Sequence, residues 1–346
     1  MSHRSLQIAT LILAVLTACG FIALRAERSG PGNTSRAVPR FKHPILFDTP
    51  EADRILSTLQ VFPADNPWNQ DITKLPVHPR SSDIIKSIGS DKSLDYNLDM
   101  NFVLVPPDQK RVPVTIKLYP EESDPGPFPI PDNMPIENWP LQRNEDLAAL
   151  PKSGGTLDDV QRHGTGDRHG LVVDPINGML YELYQARKTD TGWEAAQVSV
   201  FDLKSNKLRP EGWTSADAAG LPIFPATVRY DECARGMVTH ALRVTVRKSR
   251  RAYVYPARHF ASRHTDPDLP RMGERLRLRA DFEVSSFPPH AQAILKGLKQ
   301  YGMFVADNGK DWLISVAPDR RLKGLESLLR VKGSDFEVVD TESSSK

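Results

Sequence analysis

His169 opens the run "HGLVVD" and His240 opens "HALRVTV", so two imidazoles enter apolar stretches from the same kind of position. A histidine at the end of a sheet can lean into a concave cleft and move protons there. It can equally be a core histidine with both ring nitrogens satisfied. Asp167, Asp174 and Glu182 surround His169 in sequence, and the turn "PING" (Pro175 to Gly178) puts Asp174 and Glu182 on opposite arms of one hairpin. Paired carboxyls flanking a sugar bond, roughly 5 Å apart for retention and wider for inversion, are what glycoside hydrolysis needs. The plainer use of the same residues is Asp174 capping the turn and Glu182 facing water. Asp307 ends the apolar run "MFVAD" and is a further candidate acid, or the start of an Asx-type turn.

A second pattern is charge. Between Arg229 and Arg279 stand thirteen Arg or Lys against five Asp or Glu, and twelve of the thirteen are arginine. Forked guanidinium groups suit carboxylate or phosphate. "YVYPARHFASRH" (Tyr253 to His264) is where basic and histidine-rich patterns meet. Tyr255, Arg258 and His259 are candidate substrate-binding residues there. With His169 and His240, Tyr255 and Arg258 would neutralise a uronate and abstract its α-proton, as β-elimination requires. A solvated basic sheet face is the bland alternative. Five tryptophans (68, 139, 193, 213, 312) fall mostly in expected loops or edges, where indole faces suit sugar rings.

Several classes drop out. The chain has no G-x-S-x-G elbow, no Walker A loop, no G-x-G-x-x-G after a strand and no H-E-x-x-H. No ligand spacing calls for a metal, and the reading carries neither metal nor cofactor.

The N-terminus speaks to location. Residues 5–24, "SLQIATLILAVLTACGFIAL", follow Arg4 and have the basic start and apolar core of a signal peptide. Within them "LTAC" resembles the lipobox of bacterial lipoproteins, which implies lipidation of Cys19. The apolar run approaches the length of a membrane span, so an uncleaved anchor is the rival. Either way the chain is expected to be exported and membrane-tethered, which argues against a nucleic-acid partner. The other cysteine, Cys233, has no partner if Cys19 is lipidated, and reads as a buried structural thiol.

These side chains need a scaffold. Hydrophobic residues make up 39% of the chain, enough for a packed core, and 29 prolines argue for many turns rather than a helical bundle. Residues 25–48 read as a flexible tether, 49–340 as a single β-rich domain, and 341–346 as a loose tail. Short helices are expected at "TPEADRILSTLQVF" and "SSDIIKSIG", and the clearest one at "PPHAQAILKGLKQYG" (Pro288 to Gly302). Between them, "NFVLVP", "VPVTIKLYP", "GLVVD", "MLYELYQAR", "WEAAQVSVFDL", "HALRVTV", "RRAYVYPAR" and "ERLRLRADFEV" read as strands. Their alternation, with arginines on one face of "ERLRLRA", predicts half-solvated antiparallel sheets. The fold class expected is therefore mainly β: an antiparallel β-sandwich or jelly roll with a few peripheral helices.

"PADNPWN", "HGLVVDP…LYELYQA", "AGLPIFPATVRYDE", "HALRVTV", "YVYPARH" and "YGMFVADNG" together resemble a group of exported bacterial proteins usually left as hypothetical, over roughly residues 63–340. That resemblance implies an exported single domain and transfers no catalytic residue. The function expected is carbohydrate handling in the envelope: a polysaccharide hydrolase or lyase, with a polysaccharide partner that an arginine-rich face would favour as anionic. The alternative is a non-catalytic glycan-binding or scaffolding lipoprotein.

Overall fold

The computed structural model describes residues 37–140 and 155–342, so the signal-like segment and Cys19 lie outside the described residues. Three sheets, each mixing parallel and antiparallel pairs, replace the expected antiparallel sandwich or jelly roll. The first has the order β1 (Ile45–Leu46), β3 (Val103–Leu104), β5 (Gly170–Asp174), β6 (Met179–Tyr184), β9 (Gln197–Asp202), with β3 and β5 parallel. The second runs β14 (Phe336–Val338), β11 (Arg275–Leu278), β12 (Met303–Asn308), β10 (Leu242–Val246), β13 (Leu313–Val316), β2 (Asp95–Leu98). In it β10 pairs parallel to β12, and β13 parallel to β2. The third holds β4 (Val114–Ile116), β8 (Gly192–Ala195) and β7 (Arg187–Thr189).

Three helices fall close to where the sequence puts them, and two more, at Leu157–His163 and Tyr230–Ala234, stand where none was expected. Helix α1 (Pro50–Leu56) is capped by Thr49, whose hydroxyl accepts from the Ala52 amide, and has proline in its first turn. Helix α2 (Ser81–Ile88) turns Ile84, Ile85 and Ile88 inward. Helix α3 (Leu157–His163) opens with a Thr156–Asp159 capping box. Helix α4 (Tyr230–Ala234) is a single short stretch, and α5 (Pro289–Gln300) is the longest. Among the described residues no helix is long and apolar enough to cross a membrane.

Strand alternation in the first sheet divides two cores. Leu171, Val173, Leu180 and Phe201 face a large core shared with the second sheet and the helices. Val172, Tyr181, Leu183 and Val198 face a smaller one, shared with Trp193 and Ala195 of the third sheet. By the same parity His169, Glu182 and Ser199 point towards the second sheet. Residues 41–48, expected to be tether, supply Phe41, Ile45 and Phe47 to the large core and form β1, because they are too apolar to stay solvated.

The reason the antiparallel expectation fails is physical. Alternating polar residues ordinarily mark a wet face, but both faces of the second sheet are covered. Arg275 and Arg277 in β11 are buried and hydrogen-bonded: Arg275 donates to the carbonyl of Pro67, and Arg277 pairs with Glu337. In β10, Leu242, Val244 and Val246 face the apolar core while buried Arg243 occupies the other face. The stretch "RRAYVYPAR" is a loop, joined to its neighbours through isolated bridges such as Tyr253 to Met272.

Candidate functional site

Between the first and second sheets runs the segment Thr214–Val228, without a strand or α-helix beyond a 3-10 turn at Phe224–Ala226. Backbone left unpaired by secondary structure must find other partners. On one side the Ala216 amide donates to Ser199 Oγ (3.1 Å), and the Ile223 and Phe224 amides both donate to the Glu182 carboxylate at 2.8–3.0 Å. On the other side the Ala219 amide donates to the Ala306 carbonyl, and Val228 bridges to β13. Asp217 closes the arrangement by accepting two hydrogen bonds of 2.7 Å from Arg243, which also donates to Ser315 Oγ at 2.7 Å.

His169 sits beneath this segment. Its Nδ1 is 2.8 Å from Glu137 Oε2 and its Nε2 2.9 Å from the Ala216 carbonyl. A carbonyl can only accept, and so can a carboxylate, so both ring nitrogens carry protons and the ring is an imidazolium. Burial opposes that charge, but the Glu137 carboxylate overcomes it and holds His169 up at about 10. This histidine has no free nitrogen with which to act as a base. It is a fixed cation that positions Ala216 and the Tyr184 ring, 5.6 Å away centroid to centroid. Nearby Asp99 is pushed up to about 7 by burial and by the charge of Glu137, which is itself held low despite burial by its pairing with His169.

Above His169 a cleft of about 270 Å3 opens between the two sheets. Tyr119, Glu122, Asp167 and Tyr184 line one side, and His259, Asp307 and Asn308 the other, with Thr214–Ala216 between. Asp307 is the penultimate residue of β12, close to the strand end expected of it, and burial together with the charge of Asp217 pushes its carboxyl up to about 7. His259 Nδ1 is 2.8 Å from the Ala218 carbonyl, so Nδ1 donates there and Nε2 is left without a hydrogen bond. Tyr184 lies 3.5 Å from Asp167 Oδ1, and burial and that carboxylate push its phenol up to about 12. Such a set can hand over one proton and accept another in a partly desolvated space.

The remaining expected site residues lie elsewhere. Asp174 and Glu182 are not opposite one another: Asp174 pairs in register with Met179, and Glu182 with Leu171. Asp174 caps the hairpin turn, accepting from the Ile176 and Asn177 amides. Glu182 is buried among backbone donors, and burial, opposed by those donors, pushes it up to about 7. His240 is engaged at both nitrogens, by the Ala241 carbonyl (2.9 Å) and by Glu232 (3.0 Å), beside α4. Tyr255 is exposed, and Arg258 holds the Arg209 carbonyl and Glu211. Of the candidate site residues, His259 and Asp307 share the cleft, joined there by Asp167, which the sequence sets beside His169.

Trp68, Trp193 and Trp312 are buried, and the exposed aromatic at the cleft is Tyr119 instead. Cys233 is buried as expected. Glu137, Asp217 and Arg243 carried one usable signal, a lone arginine inside the apolar run "LRVTV". Among the described residues no group of three or more His, Cys, Asp or Glu is placed to hold a metal ion. No family model, curated protein or solved structure matches the chain.

Proposed function

We propose that the chain is an exported, membrane-tethered enzyme that cleaves polysaccharide, by hydrolysis or elimination, in the cleft framed by Tyr184, His259 and Asp307. One observation carries the reading: a carboxyl held near neutrality and an imidazole with one uncommitted nitrogen line the same open cleft. In hydrolysis, Asp307 gives its proton to the leaving glycosidic oxygen while His259 Nε2 takes one from the attacking water. In elimination, His259 takes the proton α to a uronate carboxylate and Asp307 protonates the departing oxygen. Tyr119, 41% exposed at the rim, offers a ring face to a sugar. The signal-like segment at residues 5–24 supports export.

The test is turnover of neutral and uronic-acid polysaccharides by the purified chain. New reducing ends without ultraviolet absorbance indicate hydrolysis; an unsaturated, absorbing product indicates elimination. Asp307→Asn and His259→Gln, each still folded, should lose roughly 10²- to 10⁴-fold in rate. Full activity in either variant removes that residue from the chemistry. The second reading, a non-catalytic glycan-binding or scaffolding lipoprotein, draws support from Asp174, Glu182 and His240, all committed to structural contacts. Silence of the folded protein across the whole panel would favour it.

A further inference from the structure

Beside the cleft lies a wider groove of about 600 Å3, whose polar lining is Arg247, Lys248, Ser262, Arg263, His264 and Asn308. The two hollows share Ala261 and Asn308. Asn308 makes the common wall: its Nδ2 donates to the Ala261 carbonyl at 2.7 Å, and its Oδ1 accepts from Ser249 Oγ at 2.8 Å. Ser262 Oγ in turn donates to the Ser249 carbonyl, so the loop 258–264 is pinned to the end of β10 as well as to β12.

The charge in this groove is unspent. Most arginines of the basic stretch are consumed by the fold, as Arg243, Arg275 and Arg277 show. Arg247 is different: its side chain is 71% exposed and reaches Asp311 at 3.7 Å, while Asp311 is already held by Lys92 at 2.6 Å. Lys248, Arg263 and the His264 ring are exposed and make no side-chain ion pair or hydrogen bond among the described residues. No carboxylate lines the groove. Two cations without a counter-ion, Lys248 and Arg263, beside a third that only shares Asp311 with Lys92, favour an anion here, since a bound carboxylate removes their mutual repulsion and adds charge-assisted hydrogen bonds.

We infer that this groove is the anionic subsite of the cleft: Arg247, Lys248 and Arg263 hold the carboxylates of a uronic-acid polysaccharide whose next residue enters between His259 and Asp307. The inference rests on the cleft being a polysaccharide site and names its substrate class. Sulfate esters present the same negative oxygens, so sulfated and carboxylated oligosaccharides are compared side by side.

The experiment is calorimetric titration of the Asp307→Asn chain, in which cleavage is blocked, with oligogalacturonate, its carboxyl-reduced counterpart and a sulfated neutral oligosaccharide. The comparison protein adds Arg247→Glu, Lys248→Glu and Arg263→Glu. Charge reversal of three exposed contacts should weaken oligogalacturonate binding at least about tenfold and abolish its salt dependence. The carboxyl-reduced sugar should bind both proteins alike, and the melting temperature should change little, because Lys248 and Arg263 support no fold contact and Arg247 only reaches, at 3.7 Å, an Asp311 already held by Lys92. Stronger binding of the sulfated sugar would reassign the anion but keep the groove. Equal binding of oligogalacturonate to both proteins overturns the inference. So does loss of charge-dependent binding to phosphatidylglycerol vesicles alone, which would make the groove a lipid-headgroup surface. Turnover of a uronic-acid polymer unaffected by the triple change would leave the cleft standing and the groove refuted. Charge-dependent binding by the wild type without turnover of any substrate would do the reverse.

Discussion

Replacing Glu137 with glutamine isolates the charge that holds the segment beneath the cleft. The amide keeps nearly the same shape but withdraws the carboxylate that His169 needs. Two measures bound the cost. Removing one partner of a buried ion pair typically costs about 3–5 kcal/mol. The lift of His169 from its ordinary 6.5 to about 10 is worth about 5 kcal/mol, at roughly 1.4 kcal/mol for each pKa unit, and sets a ceiling. A loss of that order consumes much of the 5–15 kcal/mol of a typical domain. The pH dependence makes the test specific. Because His169 is held above its ordinary value, the proton bound on folding stabilises the native state fully below pH 6.5, and that stabilisation is lost as pH rises towards 10. Urea unfolding of the wild type should therefore weaken steadily across that window, whereas Glu137→Gln should start several kcal/mol lower and lose less. The two proteins should converge at alkaline pH. A wild-type midpoint that is flat over the window would refute the assignment. So would an imidazole nitrogen resonance of His169 titrating near 6.5.

The other buried groups make separate predictions. Glu182→Leu strands the Ile223 and Phe224 amides, at about 1–3 kcal/mol each, whereas Glu182→Gln keeps an acceptor and should cost about 1 kcal/mol or less in urea unfolding. Since burial lifts Glu182 from 4.5 to about 7, its protonated form stabilises the fold fully below pH 4.5. That contribution fades through 7, and Glu182→Gln should flatten this part of the stability profile. Asp217→Asn should destabilise by about 3–5 kcal/mol, but the paired change Asp217→Leu with Arg243→Met should recover most of it while blunting whatever the cleft does. Cys233, buried and with its thiol pushed up by burial and by Glu232, should resist Ellman's reagent until the protein is unfolded.

Local elements were legible because local chemistry specifies them. Thr49 before a proline-led helix, Gly302 after α5 and the Asn177–Gly178 turn each do what their residue types favour. Asp307 was legible too, as an acid closing an apolar strand. Sheet pairing was not, because alternation cannot distinguish a face wet with solvent from one wet with buried arginines. "LRVTV" and "ERLRLRA" alternate perfectly, yet Arg243, Arg275 and Arg277 are all inside. The histidines misled for a related reason. His169 and His240 do enter at strand ends, but His169 is met by Glu137 and by the Ala216 carbonyl from distant segments, and His240 by the Ala241 carbonyl and by Glu232 of α4, pairings that no spacing announces. His259 became meaningful only once the loop 258–264 was laid against Ala218.

That so many charges lie inside is not a stability device. Buried ion pairs seldom outperform apolar residues of equal volume, because the desolvation they incur offsets their attraction. Their use here follows from what they touch. Thr214–Val228 crosses between two sheets without joining either as a regular strand, and a third strand there would fill the space that the cleft occupies. An irregular backbone in that position needs side chains to satisfy it. Glu182 takes the Ile223 and Phe224 amides, Ser199 the Ala216 amide, and His169 donates to the Ala216 carbonyl. Two residues on, the Ala218 carbonyl takes the His259 Nδ1 hydrogen bond and so orients the ring with Nε2 uncommitted. Asp217, between them, is clamped by Arg243 and contributes to the charge that keeps a proton on Asp307 near neutral pH. The buried network thus converts stability into position: it holds open a cleft, orients its imidazole and keeps its carboxyl protonated, three results that an apolar filling of the same volume would forgo.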